Sequence, residues 1–351
     1  MMNQINLLMI GPFPPPLVGP AVRNQLLADE FVRRSVKVTY VNTQISTPRV
    51  IVELLKNASS SKHWYLSVSR NGQLILLPFA VVIKKLFPRM EIYFVPAGGQ
   101  LYENITGMPK LPQRLYIWFL RGASHIFVQT KGMKGKLREL VPAEKITVMP
   151  NGKPYRVTDF SESLPNKSDE KEVLFLSRVK REKGVEVLLE TISLLRCEGY
   201  KIVLDIYGLI TPDYQDTFEN LVSEKPYIRY KGTLPPGKEL IDTISKYYVM
   251  VFPSMWENEG FPGVLADAAL AGLPVIASDI AYNPEIIEDE NNGLIVKAGD
   301  INSLKDAIRR VVEDSSLRNR LARRNFERSQ EYLIRNACRP LLKRFEQESE
   351  E

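Results

Sequence analysis

The chain contains 351 residues, of which 44% are hydrophobic and 25% are charged, a composition typical of a globular protein that is long enough for two domains. Its net charge of +6 is unevenly distributed, because residues 1–151 carry an excess of twelve positive charges and the rest of the chain an excess of six negative charges. Two cysteines are too few for a disulfide framework, and the longest apolar run, Leu74–Ile83, has only ten residues and is too short to span a membrane. The N-terminus lacks the pattern of a signal peptide, so we expect a cytoplasmic protein.

Strands and helices alternate along the first half of the chain. Apolar and β-branched runs predict strands, and apolar residues at helical spacing predict helices. The predicted strands are 5–11, 36–41, 91–95, 125–129 and 145–149, and the predicted helices are 22–34, 50–56, 74–86, 111–121 and 131–140. This alternation favours a parallel sheet covered by helices on both faces.

The same pattern begins again after a polar stretch over residues 150–172, which we interpret as an interdomain linker. The predicted strands are 173–176, 202–207, 228–230, 248–252 and 274–277, and the predicted helices are 184–196, 214–224, 238–245, 264–271, 301–312 and 316–345. The repeated pattern predicts an α/β protein with two doubly wound domains that face each other across a cleft. Ligands are expected at the carboxyl ends of the strands.

Several common chemistries lack their motifs. No Gly-x-Gly-x-x-Gly follows a strand, and there is no Walker A sequence and no Gly-x-Ser-x-Gly elbow. Two histidines are too few for a histidine-rich metal site. His125 opens an apolar strand and is interpreted as structural, whereas His63 lies in a polar stretch without an identifiable partner, as an exposed histidine would.

An acidic loop follows the strand that ends at Phe252. It carries Glu259, and the helix after it carries Asp267. Gly260 and Gly263 allow a ligand to approach the main chain, and the free N–H groups at the helix start favour a phosphate. The two carboxylates are separated by about 10–12 Å if the span is helical, which is too far for one acid–base couple. They fit the two ends of a sugar nucleotide, and two solvated carboxylates beside a helix start fit the spacing as well.

A basic loop follows the strand that ends at Leu176. Arg178 stands at the carboxyl end of this strand, and Lys183 precedes the helix that begins at Gly184. Two cations at this position would neutralise a diphosphate and stabilise it as a leaving group. An ordinary exposed basic loop would have the same composition.

Two glycine-containing loops follow strands in the first half. The proline-rich loop from Gly11 to Pro20 would approach a ligand at Gly19, although a structural turn would have the same composition. The small-residue loop at 96–100 contains Gly98 and Gly99, which we expect to face the cleft.

Taken in order, these segments resemble the retaining glycosyltransferases of family 4, which have the two-domain GT-B fold. The resemblance covers nearly the whole chain. It is carried by Met149-Pro150-Asn151-Gly152, Leu176-Ser177-Arg178 through Lys183-Gly184, Phe252-Pro253-Ser254 through Glu259-Gly260-Phe261-Pro262-Gly263, Ala271-Gly272-Leu273-Pro274-Val275-Ile276-Ala277-Ser278 and Asn292-Gly293-Leu294. It implies an acceptor-binding domain over 1–155, a nucleotide-sugar-binding domain over 156–325, and a C-terminal helix over 326–351 that packs back toward the first domain.

The resemblance also implies roles for individual residues. Arg178 and Lys183 would hold the donor diphosphate, and together with Glu259, which would contact the transferred sugar, they form the predicted catalytic set. The complete predicted donor site consists of Gly19, Arg178, Lys183, Glu259, Gly260, Phe261, Pro262, Gly263, Val264 and Asp267, while Gly98 and Gly99 would lie on the acceptor side.

Three positions depart from the family pattern. Asp267 replaces the second glutamate of a Glu-x7-Glu motif, whose side chain holds the ribose, and Gly19-Pro20 replaces a Gly-Gly pair. Pro96-Ala97-Gly98-Gly99 stands where many members have a histidine. The mechanism that the resemblance implies is front-face transfer, in which the leaving phosphate helps to deprotonate the acceptor and no side-chain base is needed.

The resemblance therefore predicts a hexosyl-type retaining glycosyltransferase that uses a nucleoside-diphosphate sugar and needs no metal or other cofactor. Its acceptor would be a hydroxyl of a glycan or a lipid-linked saccharide in cell-surface polysaccharide biosynthesis, such as capsule or lipopolysaccharide. A catalytically silent nucleotide- or glycan-binding protein on the same scaffold is the alternative.

The basic first domain predicts peripheral contact with the anionic inner face of a membrane. The run Leu74–Ile83 fits either a lipid-facing helix or a buried core helix. A nucleic-acid partner is not expected, because the aromatic residues of this half are not interleaved with the basic ones.

Overall fold

The computed structural model describes residues 5–15, 19–68, 70–160 and 169–347. Residues 16–18 of the predicted proline-rich loop and residues 161–168 of the predicted linker lie outside this range. The chain divides into unit 1, which comprises Met1–Gly152 and Ile334–Glu351, and unit 2, which comprises Lys153–Leu333. The division thus falls at Gly152 and again at Leu333, compared with the expected boundaries at 155 and 325.

Unit 1 contains a parallel sheet with the strand order β2–β1–β3–β4–β5–β6 over its described residues. The strands are β1 (Asn6–Gly11), β2 (Lys37–Asn42), β3 (His63–Leu66), β4 (Glu91–Phe94), β5 (His125–Val128) and β6 (Ile146–Val148). The helices are α1 (Gly19–Arg33), α2 (Thr47–Asn57), α3 (Arg70–Leu86), α4 (Leu101–Thr106), α5 (Lys110–Gly122), α6 (Lys131–Leu137), α14 (Ile334–Ala337) and α15 (Arg339–Gln347).

The C-terminal helices complete the core of unit 1. Leu341 and Phe345 of α15 are fully buried, and the ring of Phe345 packs edge-on against Phe31 of α1 at a centroid distance of 5.8 Å. Burial of these side chains removes apolar surface from water and holds α15 on the sheet. The segment that belongs to unit 1 begins at Ile334, so α13 (Ser315–Arg328) stays in unit 2.

Two sequence interpretations are wrong. The predicted single helix over 316–345 is interrupted, because a short turn over Ser329–Tyr332 separates α13 from α14. His63 is not exposed: it opens β3, is 4% exposed, and its Nδ1 lies 3.0 Å from the hydroxyl of Tyr93. Burial lowers the pKa of His63 to about 4, so the ring is neutral at physiological pH.

The apolar run Leu74–Ile83 lies within α3 and divides between two environments. Leu77 and Ala80, three residues apart, are fully buried in unit 1, while Ile75 and Val82, two turns apart, are about half exposed. Since residues three or four apart share a helix face, α3 buries one apolar face and leaves a second apolar face open. The core-helix interpretation is therefore confirmed for only one face of the helix.

Unit 2 contains a parallel sheet with the strand order β12–β11–β10–β7–β8–β9 over its described residues. The strands are β7 (Lys171–Leu176), β8 (Ile202–Tyr207), β9 (Ile228–Tyr230), β10 (Val249–Phe252), β11 (Val275–Ser278) and β12 (Gly293–Val296). The remaining helices are α7 (Val185–Cys197), α8 (Gln215–Val222), α9 (Lys238–Ile244), α10 (Gly263–Leu270), α11 (Asn283–Ile286) and α12 (Ile301–Glu313). The predicted α/β class with two doubly wound parallel sheets is confirmed.

The strand order of unit 2 reverses between β7 and β10. From β7 the chain proceeds outward through β8 and β9, then returns to pair β10 with the other edge of β7. In an open parallel sheet the loops that leave the two strands at such a reversal diverge, and the space between them binds ligands. The segments after β7 and β10 are therefore the ones that topology marks for function.

Candidate functional site

Two loops meet at the carboxyl ends of β7 and β10. We call residues 177–184 the β7 loop and residues 253–262 the β10 loop. The amide of Met255 donates a hydrogen bond to the carbonyl of Glu182 at 2.9 Å. Gly184 has a φ of +72°, and a Cβ at this position would lie 2.0 Å from the carbonyl oxygen of Pro253. A glycine is required there, because any side chain would separate the two loops.

Lys183 and Glu259 form an ion pair between these loops. The Lys183 ammonium donates a hydrogen bond to Glu259 Oε1, which also accepts one from the hydroxyl of Ser254 at 3.0 Å. Lys183 is 6% exposed, and the Glu259 side chain is 11% exposed. Burial lowers the pKa of Lys183, and the carboxylate of Glu259 counteracts this effect. The structure thus brings together two of the three predicted catalytic side chains.

Arg178 is the third predicted catalytic residue and behaves differently. Its side chain is exposed, and within the described part of the chain no hydrogen bond or ion pair engages it. Its positive charge is near enough to Lys183 to lower the pKa of that lysine further. The neighbouring Lys180 lies 3.9 Å above the ring of Trp256 and pairs with Glu182 at 3.4 Å. Arg178 is therefore the cation of the β7 loop that is available to an incoming anion.

The β10 loop leads into the N-terminus of α10. Phe261 is 8% exposed and packs edge-on against Tyr332 at a centroid distance of 5.5 Å, so its side chain anchors the turn in the core. Pro262 is the N-cap residue, and no side-chain hydrogen bond caps this end of the helix. Among the described residues, no side chain accepts a hydrogen bond from the first N–H groups of the helix, at Gly263 and Val264, which lie at the positive end of the helix dipole.

Asp267 is engaged by a residue that sequence analysis did not select. Asp267 is 5% exposed, and its carboxylate accepts a hydrogen bond from the ammonium of Lys153 at 2.8 Å. Burial raises the pKa of Asp267, and Lys153 counteracts the shift. No local motif marks Lys153, because 114 residues separate it from its partner. The prediction that Asp267 holds a ribose remains untested, but its carboxylate already carries a hydrogen bond.

The other selected glycines belong to unit 1. Gly19 is the first residue of α1, and Gly98 follows β4 with a φ of +84°. A Cβ on Gly98 would meet no atom within 4 Å, so this glycine is needed for its backbone conformation and not for space. Gly99 is buried beside it.

A pocket of about 220 Å³ also lies in unit 1, near the carboxyl ends of β2 and β3. Its lining consists of Thr43, Thr47, Val50, Val68, Asn71, Gly72, Ile75 and Leu76. The mixture of hydroxyl, amide and apolar groups is suited to a small polar molecule with an apolar part. Six of these residues lie in α2 and α3, and the other two, Thr43 and Val68, follow β2 and β3. None of them was predicted to form a site, because none belongs to a recognisable motif.

The described ranges contain neither a cluster of metal ligands nor a helix that could span a membrane. No three His, Cys, Asp or Glu side chains lie together there as a metal site would require. Nor does any helix in these ranges have the length and apolarity needed to cross a bilayer.

The sequence is similar to those of known glycosyltransferases. Residues 157–328 match the family model described as glycosyl transferases group 1. The chain is 25% identical over 266 residues to the lipopolysaccharide core biosynthesis glycosyltransferase LpsE of Rhizobium meliloti, a match that covers 72% of this chain and 74% of that protein. It is 28% identical over 151 residues to the capsular polysaccharide biosynthesis glycosyltransferase CapM of Staphylococcus aureus, covering 41% of this chain and 37% of CapM.

A solved structure matches nearly the whole chain. HepE of Anabaena, in complex with UDP and glucose, superposes with a TM-score of 0.74 and 14% identity over 98% of this chain and 100% of HepE. Three of the curated relatives are matched over 34% to 51% of their own length. The similarity to the glycosyl transferases group 1 family extends over residues 157–328, and the predicted GT-B fold is confirmed.

Proposed function

We propose that the chain is a retaining glycosyltransferase that moves a sugar, of hexose type, from a nucleoside diphosphate to a hydroxyl group of a glycan or a lipid-linked saccharide. The observation that carries this proposal is the meeting of the β7 and β10 loops at the strand reversal of unit 2. This meeting places Lys183 against Glu259 ahead of the uncapped start of α10. The relatives named for capsule and lipopolysaccharide synthesis support a cell-surface polysaccharide as the product.

The proposed donor site has its positive groups at one end, for the diphosphate, and a carboxylate at the other end, for the sugar. The diphosphate would bind between the Arg178 guanidinium, the Lys183 ammonium and the free N–H groups of α10, all of which favour an anion. Glu259 would accept hydrogen bonds from hydroxyl groups of the sugar while its other contacts, Lys183 and Ser254, keep the carboxylate in place. A rigid carboxylate costs less ordering entropy when the sugar binds.

The proposed reaction follows the front face of the sugar. The bond between the anomeric carbon and the diphosphate oxygen breaks, and its electron pair leaves with the nucleoside diphosphate. The acceptor oxygen forms the new bond on the same face, and its proton passes to the departing phosphate oxygen. Arg178 and Lys183 would stabilise the growing negative charge, so their contribution is larger in the transition state than in the bound donor.

A donor screen with matched variants tests this proposal. Purified protein is incubated with a panel of nucleoside-diphosphate sugars, and the released nucleoside diphosphate is measured with and without added acceptor glycans. Glu259→Ala and Lys183→Ala are each expected to lower turnover by about 100-fold. Glu257→Ala and Arg181→Ala, which alter exposed side chains of the same loops, should leave turnover within about twofold. Full activity in both site variants would refute the site assignment.

Retention and metal independence are separate parts of the proposal. The anomeric configuration of the first product, followed by NMR, should match that of the donor, and an inverted product would exclude front-face transfer. Turnover should persist in EDTA, because the proposed charge stabilisation comes from side chains and main-chain N–H groups. Tight nucleoside diphosphate binding without turnover of any donor would favour the silent binding protein instead.

We also propose that unit 1 contacts an anionic membrane through one face of α3 and α5. These helices pack against each other and contain no acidic residue. Their exposed apolar side chains include Leu86 and Leu111, which are 71% and 80% exposed. We call this face the α3–α5 surface; its apolar residues are Leu74, Ile75, Val82, Leu86, Leu111, Leu115 and Trp118, and its cations are Lys85, Lys110 and Arg114.

The cations of the α3–α5 surface support a lipid partner. Within the described residues Lys85, Lys110 and Arg114 form no ion pair, and the Lys85 ammonium lies 4.5 Å above the ring of Trp118. Apolar side chains beside unpaired cations are the pattern of a peripheral helix that lies in the headgroup region of anionic lipids.

Vesicle flotation tests the membrane proposal. The protein should float with vesicles that contain phosphatidylglycerol and stay behind with vesicles of phosphatidylcholine alone. The double variant Leu111→Glu/Leu115→Glu should lose flotation. Leu209→Glu, a change at a residue of unit 2 that is 63% exposed, should not. Equal flotation of all three proteins would show that another surface binds lipid.

A further inference from the structure

We propose that Lys153 is a third cation of the donor diphosphate site and that Asp267 is the positioning residue that holds it. This inference rests on the proposed function. The Lys153–Asp267 pair joins the start of unit 2 to α10, and none of the sequence motifs includes the lysine. The observation that carries the proposal is the position of the ammonium over the first turn of α10.

The main chain directs the Lys153 side chain along α10. The amide of Lys153 donates to the carbonyl of Tyr332 at 2.8 Å, and four residues later the amide of Val157 donates to the carbonyl of Leu270 at 3.0 Å. The second of these bonds attaches the segment to the last residue of α10. The lysine side chain is thereby brought within hydrogen-bond distance of Asp267.

The ammonium lies near the residue at which α10 begins. Lys153 Nζ is 2.8 Å from Asp267 Oδ2, and it is 3.4 Å from the position that a Cβ on Gly263 would occupy. Residues 263 and 267 share one face of the helix, because they are four apart. The positive charge therefore lies on the face of the first turn that contains Gly263, next to the main-chain N–H groups proposed to hold the diphosphate.

The ammonium also has capacity for a ligand. It carries three N–H donors, and within the described part of the chain Asp267 is its one recorded hydrogen-bond partner. The Lys153 side chain is 19% exposed and the Asp267 side chain 7%. The carboxylate is therefore the more deeply buried partner, and the ammonium is the one that solvent, or a phosphate oxygen, reaches.

This arrangement gives Asp267 a role that differs from the ribose contact implied by the family resemblance. A buried carboxylate that already accepts a charged hydrogen bond is suited to fixing the direction of an ammonium. Lys153 then donates to the diphosphate, together with Lys183 and Arg178. A positioning carboxylate and a phosphate-binding ammonium explain why a shorter acidic side chain stands at 267.

The test measures binding of two probes by calorimetry. Wild-type protein is titrated with UDP, ADP and GDP, and the tightest binder is used in parallel with inorganic pyrophosphate. The double variant Lys153→Met/Asp267→Asn removes both charges and leaves no unpaired buried ion. It should keep the thermal unfolding midpoint of the wild type within a few degrees and bind both probes about tenfold more weakly.

Asp267→Asn alone separates the two roles. The asparagine amide oxygen still accepts from Lys153, so pyrophosphate binding should stay within about threefold of wild type. The control Lys305→Met/Glu198→Gln removes an ion pair of 2.7 Å whose lysine side chain is also 19% exposed. Glu198 is the C-cap residue of α7, about 20 Å from the β7 loop by helix rise, so this control should bind like wild type.

Each outcome decides a different point. If the double variant binds both probes like wild type, Lys153 is structural and this inference fails while the proposed function stands. If Asp267→Asn weakens the nucleotide but not pyrophosphate, the carboxylate contacts the ribose and the positioning role is wrong. If wild-type protein binds none of the nucleotides and no pyrophosphate, the proposed function fails, and this inference fails with it.

Discussion

The ion pair between Lys183 and Glu259 allows a quantitative prediction about unit 2. Lys183→Met keeps the length of the side chain and deletes its charge. The Glu259 carboxylate, 11% exposed, then retains one hydrogen bond from Ser254 but loses its counter-charge. Removal of one partner from a buried pair costs about 3 kcal/mol, because the other charge remains desolvated. We expect a loss of this size in the free energy of unfolding.

The double variant has a different expected cost. Lys183→Met/Glu259→Gln removes both charges, and the glutamine still accepts a hydrogen bond from Ser254. Its cost should be about 1 kcal/mol, since no uncompensated charge is left. With about 2–3 kcal/mol for Glu259→Gln alone, the two single losses exceed the double loss by about 4–5 kcal/mol, which is the coupling energy of the pair.

The assay must report on unit 2 separately, because a chain with two units need not unfold in one transition. Hydrogen exchange of peptides from β7 and β10, followed by mass spectrometry over a urea series, provides this resolution. Arg181→Met is the matched control, since its side chain is 68% exposed and its ion pair with Glu186 lies at the surface; its effect should stay below about 0.5 kcal/mol. If the double variant costs as much as the two single variants added together, the pair is not coupled and the argument from burial is wrong.

Three further predictions follow from local geometry. Gly184→Ala should lower the free energy of unfolding by more than about 2 kcal/mol and weaken nucleotide binding, because the new Cβ would meet the Pro253 carbonyl. Gly199 has a φ of +93° but open space around it, so Gly199→Ala should lower the free energy of unfolding, measured in urea, by only about 1 kcal/mol. Burial lowers the pKa of His63 to about 4, compared with about 6.5 in the unfolded chain. The stability that the neutral ring contributes is therefore present above pH 6.5 and is lost as the pH falls toward 4. Between pH 7.5 and 5.5 the free energy of unfolding of the wild type should fall by about 1 kcal/mol more than that of His63→Gln. Iodoacetamide should label the exposed Cys197 in the native protein but reach the buried Cys338, whose thiol pKa burial raises to about 11, only after unfolding.

The sequence was sufficient to predict the two loops of the proposed donor site. The β7 and β10 loops each follow an apolar run of four to six residues and precede a helix that is rich in apolar residues, so both boundaries are visible in a short window. Parallel strands align their carboxyl ends at one edge of a sheet, and the motif residues after them were therefore expected to lie at one place. The contact between Lys183 and Glu259 agrees with that expectation, while their roles toward a ligand remain predictions.

Other features depend on contacts that a short window does not contain. β3 has four residues and is preceded by a polar stretch, and its burial comes from pairing with β1 and β4. The partner of His63 is a tyrosine 30 residues away. The residue types between Arg328 and Ile334 are compatible with a continuous helix, so the sequence does not reveal the interruption. The helix is interrupted there because α13 belongs to unit 2, while α14 and α15 belong to unit 1.

The charges around the β7 and β10 loops suggest how the proposed site would respond to a donor. Lys183 and Lys153 each form an ion pair with a carboxylate, whereas Arg178 forms none with any residue that the structure describes. Both ion pairs are neutral overall, so the uncompensated positive charge comes from Arg178 and from the start of α10, whose dipole adds about half a charge. A sugar nucleotide brings two negative charges, and its departing diphosphate gains a third. As the bond breaks, the two paired ammonium groups must donate some of their hydrogen bonds to the phosphate instead of to their carboxylates. Arg178 supplies an uncompensated charge that stabilises the third negative charge, which appears only as the bond breaks. Arg178→Gln should therefore lower kcat more than it raises KM for the donor.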